Sequence, residues 1–449
     1  MAMTGHLKQS RIAKALTDRS NGVASFDEAE ARLKNVRVAI VLMPDQATTA
    51  AGQAAALTAV NTSVKCFGNV TLVGGSGVTL VSALPIGETM SAAAKTLGAV
   101  TSALVPADAT HAIFIGTGDP PCAAIFVRCW WDGWKAGIVP PWDHRAFGVA
   151  GNPLAGVFAG ALAVREVFAT VLGYPRSGSR VSVTSLWEPE ADPDTAAPGP
   201  ETAYISPRLW FIGLGHLGQG LLWSLGLLPV SELELVLQDD QNAGEENEAT
   251  GVLTRGNCIG QRKTRIAAAW FDRPGWSTRL IERRHYGDIP ILATDPSIVI
   301  TGLDEPDPRR RIARTGFDYM IDVGIGHGPV DFEALQIRIL RQGVDPSPFW
   351  SSPERPKDVD SLMQQAAYRV QEAQSGRCGT LPFANASVSV PFVGAAAGAL
   401  TITQGIRLAS MQTTVQMLQM ELGTPHMAIV GAMNPAMAES RGSRELRLG

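Results

Sequence analysis

Leu209-Trp210-Phe211-Ile212 runs directly into Gly213-Leu214-Gly215-His216-Leu217-Gly218-Gln219. The apolar run predicts a buried strand, and the glycines that follow predict a tight turn opening a helix at 216–227. A second apolar run, 233–238, ends in Asp239-Asp240. Strand, glycine turn, helix and a second strand ending in acids make a mononucleotide-binding βαβ unit. Gly213 gives the tight turn, Gly215 lets the backbone approach a ligand, and Gly218 lets helix and strand pack closely. Phosphate can then rest on backbone N–H groups at the helix N-terminus. Asp239 or Asp240 is placed for ribose hydroxyls. Such a turn serves ATP and nicotinamide dinucleotides alike, so the decision rests on residues further along.

Asn247 and Lys263 follow Asp239 by 8 and 24 positions. Lys263 opens a helical pattern at 260–272, where an ammonium can neutralise a polyphosphate and a dehydrogenase has no need of one. Asp304 ends the apolar strand 297–302, at the edge where open α/β sheets bind ligands. A carboxylate there, facing a triphosphate, would hold Mg²⁺. Arg309 is placed to orient that loop. Each has a plainer alternative: Asp304 caps the following helix at 306–314, Lys263 is a solvated lysine, and Arg309 belongs to an exposed run, Arg309–Arg311. Further strands are expected at 279–284 and 318–323.

Upstream, helices are expected at 6–19 and 27–34. Val36–Met43 reads as a buried strand, but the turn after it, Pro44 to Thr49, has no glycine. A helix from Ala50 to Val64 and strands at 69–73 and 112–116 follow. Residues 123–138 are aromatic-rich and read as core or domain interface. Residues 186–204, rich in proline, acid and alanine, read as a linker. Two alanine-rich helices then match without a gap: Pro153, Gly156, Gly160 and Ala161-Leu162 align with Pro391, Gly394, Gly398 and Ala399-Leu400. Internal duplication explains this, with shared helix-packing chemistry as the alternative. The domains expected are N-terminal helices (1–35), a degenerate nucleotide fold (36–185), the linker, an intact one (205–412) and a C-terminal extension (413–449). An inserted loop of about 341–390 carries Cys378. The fold class is α/β, with two tandem Rossmann-like domains forming a pseudo-dimer, the first inactive; a homodimer of such chains is left open.

Composition sets outer bounds. The 449 residues are 45% hydrophobic and 18% charged, enough for sizeable cores in two domains. A net charge of −4 gives no basic footprint, so nucleic acid is not an expected partner. Five cysteines without a C-x-x-C pair argue against a disulfide framework or zinc site, and so for a cytoplasmic protein. The first residues lack the apolar core of a signal peptide. The uncharged stretch 384–402 is rich in small residues and has Pro391 at its centre, which fits tight helix packing rather than a membrane span.

Cys378 lies in Ser375-Gly376-Arg377-Cys378-Gly379-Thr380, read as a flexible stretch with an arginine beside the thiol. A thiolate there can serve as a nucleophile, with a buried packing cysteine as the alternative. Cys66, Cys122, Cys129 and Cys258 lie in or near apolar runs or the nucleotide unit and read as structural. His216 and His327 receive no role.

The series from Gly213 through Asp239, Asn247, Gly260-x-x-Lys263 and Asp304 resembles the ThiF/MoeB/E1 family, which adenylates the C-terminal glycine of ubiquitin-like proteins. The resemblance covers about 205–330, and the helix from Pro391 resembles the family's closing segment. It implies ATP and Mg as cofactors, with Asp239 on the ribose, Asn247 and Lys263 on phosphates, and Asp304 on Mg²⁺. The family's arginine three residues after the asparagine is Thr250 here, so that either Arg255 or Arg262 substitutes or the role is lost. An arginine from the N-terminal region completes such sites; Arg19 is the first candidate and Arg11 the second. The segment from Arg377 to Leu400 resembles the cysteine-bearing crossover of E1-type enzymes in bacterial antiviral ubiquitin-like conjugation operons. That implies a thioester on Cys378, and as partners a ubiquitin-like protein and an E2-like conjugating protein. The competing readings are an NAD-dependent dehydrogenase, supported by the glycine turn alone, and a non-catalytic scaffold.

Overall fold

The structure is a computed structural model that describes residues 10–19, 22–119, 125–148, 151–174, 177–326, 331–350, 359–431, 433–434 and 442–448. Cys122, His327, the loop segment 351–358 and residues 435–441 of the extension lie outside the described residues. Two helices open the chain, α1 (Ser10–Arg19) and α2 (Phe26–Lys34). The first sheet region holds β1 (Arg37–Leu42), α3 (Pro44–Ala47), α4 (Ala50–Phe67), β2 (Asn69–Val73), α5 (Met90–Thr96), β3 (Val100–Ser102), β4 (His111–Ile115), β5 (Ile125–Asp132), β6 (Lys135–Val139), α6 (Pro153–Val171) and β7 (Ser182–Ser185). The second opens with β8 (Thr202–Ile205), β9 (Arg208–Ile212), α7 (His216–Gly226), β10 (Leu233–Gln238), α8 (Glu245–Thr250), α9 (Lys263–Phe271), β11 (Trp276–Ile281), β12 (Ile298–Thr301), α10 (Pro306–Ile312), β13 (Tyr319–Ile325) and β14 (Ala334–Arg341). It closes with α11 (Val359–Met363), α12 (Ala366–Asn385), α13 (Pro391–Ala409), β15 (Thr414–Val415), β16 (Met417–Glu421), β17 (Ile429–Val430), β18 (Met433–Asn434) and β19 (Arg444–Arg447).

The chain is α/β, with two mixed sheets consistent with two domains. The first sheet runs β3-β2-β1-β4-β5-β6-β7 and the second β11-β10-β9-β12-β13-β14-β16-β17. With only the strands inside each sheet numbered in chain order, the two orders coincide over the first seven. In each, five parallel strands are followed by antiparallel ones. Side chains alternate across both sheets, as a period of two requires. Val38, Ile40 and Leu42 of β1 and Leu209 and Phe211 of β9 enter one core that runs through both domains. Ala39 and Val41 face a small cluster behind the first sheet, and Trp210 and Ile212 one behind the second.

The matched alanine-rich helices have one packing role each. Helix α6 crosses α4, the helix after β1, while α13 crosses α7, the helix after β9, and α6 and α13 also meet. A Cβ at Gly156 would lie 2.1 Å from the Ala51 carbonyl oxygen, and one at Gly398 2.1 Å from that of Gly220. Gly156 and Gly398 are therefore demanded by backbone approach. Helices α6 and α13 are each long and apolar enough to cross a membrane, yet 89% and 100% of their apolar windows are buried inside the protein. Polar contacts stitch the domains together: Trp223 Nε1 donates to Thr58 Oγ1 at 2.9 Å, and Arg165 forks onto Glu333 at 3.0 and 2.8 Å.

Three expectations change. Residues 186–204 do connect the two sheets, and the stretch is anchored at both ends, while 190–202 is exposed or half-buried. Leu186 and Trp187 are buried, and the Trp134 ring donates to the Pro200 carbonyl at 2.8 Å. The second sheet also continues past residue 412, because β16 pairs with β14 and β17 with β16. The stretch around Cys378 is helical. Gly376, at φ 71° and ψ 166°, breaks α12 into two pieces, and Cys378 lies in the first turn of the second piece. Glycine at the break and Pro382 within the second piece hid that helix from a reading by propensity.

Candidate functional site

A cavity of about 590 Å³ opens at the carboxyl ends of β9, β10, β11 and β12. The strand order reverses between β9 and β12, and such a switch point leaves a crevice between diverging loops. The glycine turn forms its floor. Gly213 has φ 86°, a left-handed conformation that suits glycine, and a Cβ at Gly218 would lie 2.0 Å from the Gly213 carbonyl oxygen. Gly215 is the N-cap of α7, so the free N–H groups of that helix open toward the cavity rim.

The cavity wall brings together Gly213, Gly215, Asp239, Asn247, Lys263 and Asp304. Gly218 sits one turn into α7 and supports the floor from behind. Asp239 braces the turn: its carboxylate accepts from Leu214 N at 2.7 Å and from Gln241 N at 2.8 Å. Asp240 beside it pairs with Arg284 at 2.9 Å. Asn247 is buried, and its Oδ1 accepts from Gly244 N at 2.9 Å, which fixes the start of α8. Lys263 is buried at the start of α9, its Nζ donating to Gln241 Oε1 at 2.7 Å, so it is not a solvated surface lysine.

Asp304 is exposed on the cavity wall. It does not cap α10, whose N-cap is Glu305. Arg309 is buried rather than part of an exposed run, pairing with Asp322 at 3.2 Å and donating to the Leu303 carbonyl. The loop that presents Asp304 is thereby tied to the middle of β13.

Of the two N-terminal arginines, Arg11 lines the cavity and Arg19 does not. Arg19 stacks over Tyr174 at 4.9 Å and Phe332 at 5.6 Å. The α1 helix that carries Arg11 packs on α8. Neither Arg255 nor Arg262 reaches the cavity wall beside Thr250: Arg255 stacks on Trp270 at 5.1 Å, and Arg262 donates to the Asp240 carbonyl. Arg283, Arg284, His285 and Tyr286 also line the cavity. The strand expected at 279–284 lies at 276–281 because Trp276 anchors it in the core, which frees these four residues for the rim. Their position just past an apolar run was the available signal.

His216 opens α7 and is half-buried, its Nε2 donating to the Val390 carbonyl at 2.8 Å. Burial lowers its imidazole from 6.5 to about 4. Between those values the unfolded chain holds the extra proton, so stability present above pH ~6.5 is lost as pH falls toward 4. From pH 7 to 5 this one group costs about 2 kcal/mol. Urea midpoints at the two pH values read the loss, and His216→Gln, which keeps a donor without the titration, flattens it.

Cys378 is the exposed member of the four described cysteines; Cys66 and Cys129 are buried and Cys258 is half-buried. Burial pushes the Cys66 and Cys129 thiols far up, out of reach of reaction near neutrality. The helix of Cys378 is held by the N-terminal helices. Tyr368 Oη donates to Asp18 at 2.6 Å and accepts from Lys14 at 2.6 Å. Phe26 meets the Tyr368 and Phe383 rings at 5.1 and 4.9 Å. After α12 the chain returns to the cavity through Ser387, Val388 and Ser389.

Residues 37–186 match the BilD N-terminal domain family and residues 205–412 the BilD C-terminal domain family. The chain is also 29% identical over 438 residues to the "Bacterial E1-like protein BilD" of Collimonas sp. (strain OK412), covering 94% of each chain. Together these similarities support a bacterial E1-like protein. They support an E1-like role in general terms, and conjugation as the process that such a role serves.

Proposed function

We propose that the chain is an E1-like activating enzyme that adenylates the C-terminal carboxylate of a ubiquitin-like protein. The observation that carries this is one cavity that gathers a glycine turn, a ribose-placed carboxylate (Asp239), two phosphate-placed donors (Asn247 and Lys263) and an exposed carboxylate (Asp304). In this reading both sheets are Rossmann-like halves of a pseudo-dimer, and the first is inactive. The turn after β1 is the short helix α3, and Arg128 fills the adjacent crevice by donating to the Gly116 and Gly118 carbonyls at 2.8 Å each.

The residues present fit Mg·ATP. Asp304 would hold Mg²⁺, which supplies charge neutralisation across the phosphate oxygens. Lys263, Arg11 and the first N–H groups of α7 would spread the remaining phosphate charge. A carboxylate oxygen of the ubiquitin-like protein attacks the α-phosphorus and pyrophosphate leaves. The Cys378 thiolate then attacks the acyl carbon and AMP leaves, giving a thioester for an E2-like protein. Cys378 sits in a first helical turn, where unpaired N–H groups favour developing negative charge. Catalysis of the first step is positioning and charge neutralisation, with no general base required. A cytoplasmic setting and a part in antiphage conjugation go with this reading.

Exchange of labelled pyrophosphate into ATP tests it. Exchange should require both the chain and its cognate ubiquitin-like protein. Its absence with that partner present would sink the proposal, with NAD(H) binding then favouring a dehydrogenase and no nucleotide binding favouring a scaffold.

A further inference from the structure

The first domain reaches into the wall of the second domain's cavity through one helix. Lys65 of α4 donates to the Glu248 carbonyl at 2.6 Å and the Thr254 carbonyl at 2.9 Å. One turn earlier, Asn61 Nδ2 donates to the Val252 carbonyl at 2.9 Å. The three carbonyls belong to the end of α8 and the run that follows it. Helix α8 carries Asn247 and Thr250, both on the cavity wall. The second domain grips the same run from α7: Gln219 Oε1 accepts from Leu253 N at 2.9 Å and Thr254 N at 3.0 Å. Trp270 Nε1 also donates to the Leu253 carbonyl at 3.0 Å.

The ammonium is costly to place there. Desolvation brings Lys65 down to about 8, opposed by Glu248 of α8 and aided by Arg255, with Cys66 beside it and Cys258 in the short turn also facing it. An apolar side chain would pack on α4 without that cost. What an apolar side chain cannot do is draw two carbonyls together from opposite ends of the Glu248–Thr254 run.

We propose that Lys65 and Asn61 are positioning residues through which the first domain holds the Asn247 and Thr250 side of the cavity in shape for a triphosphate. This rests on the nucleotide reading above. It gives a domain with no glycine turn of its own a direct part in the chemistry of its neighbour. The two residues touch no reacting atom and act through α8. Their loss therefore falls on phosphate recognition and leaves the nucleoside end of the cavity intact.

Lys65→Met and Asn61→Leu test this in the full chain by two measurements. Amide hydrogen exchange over 245–255 reads the clamp without any ligand. Titration with Mg·ATP and, separately, adenosine reads its consequence. Both variants should lose protection over 245–255 and leave adenosine affinity unchanged, with Mg·ATP affinity falling at least roughly tenfold in Lys65→Met, which loses charge-assisted hydrogen bonds, and roughly threefold or more in Asn61→Leu, which loses a neutral one. Unchanged protection, or equal weakening of both ligands, overturns the proposal. Should Lys65→Met fail to fold, Asn61→Leu, a neutral change, carries the same reading. Wild-type chain that binds no Mg·ATP overturns the nucleotide reading and the ligand half of this proposal, whereas the exchange result still decides whether the clamp exists.

Discussion

Asp304→Ala should reduce ATP–pyrophosphate exchange by about 10²- to 10³-fold, the usual cost of removing one group that stabilises transition-state charge. The carboxylate is exposed on the cavity wall and caps no helix. The loop that bears it is held by Arg309 through the Leu303 carbonyl, not by Asp304 itself. Substitution should therefore leave stability within about 0.5 kcal/mol. A thermal melt alongside the exchange assay separates the two effects. Asp304→Asn sharpens the test, since it keeps size and hydrogen bonding but loses the charge that a divalent cation needs. An Asn variant as active as wild type would argue against Asp304 as a metal ligand.

Cys378→Ala should abolish the reducible thioester with the ubiquitin-like protein and leave pyrophosphate exchange near wild type. The two outcomes separate because Cys378 lies on the second piece of α12 and is not among the residues that form the cavity wall. Its side chain is exposed, so truncation opens no cavity in the core. Cys378→Ser gives the positive form of the test. An oxygen nucleophile would leave an adduct stable to thiol reductants, whereas the native adduct is cleaved by them. A Cys378→Ala chain that still forms a reductant-sensitive adduct would return the assignment to another cysteine.

Much of the cavity was legible in the sequence because its residues sit at element ends. Asp239 and Asp304 follow apolar runs, and Lys263 starts a helix, so strand and helix periodicity alone delivers them to one edge of a sheet. Arg11 was legible as a candidate but not as the better one. Which arginine of α1 meets the cavity depends on how that helix lies across α8, and no local pattern encodes a crossing. The helix of Cys378 was missed because Gly376 and Pro382 carry poor helix propensity, which contacts from Phe26 and Tyr368 override. The rim residues Arg283 to Tyr286 were hidden by a three-residue error in the register of β11. The contribution of Lys65 could not be read at all, since a lysine in an apolar helix declares nothing about the loop of another domain.

The pairing of β19 with β8 sets the order in which the protein can be completed. Arg444 pairs with Ile205, and Arg447 with Thr202, within the connection between the two sheets. On a ribosome the first sheet and most of the second emerge before Arg444 does. During that interval β8 presents an unpaired edge, and edges of that kind invite the wrong partner strand. Residues 444–447 thus cover one edge of β8. Removing 442–449 should leave the cavity residues in place and yet yield a chain that aggregates as it is made.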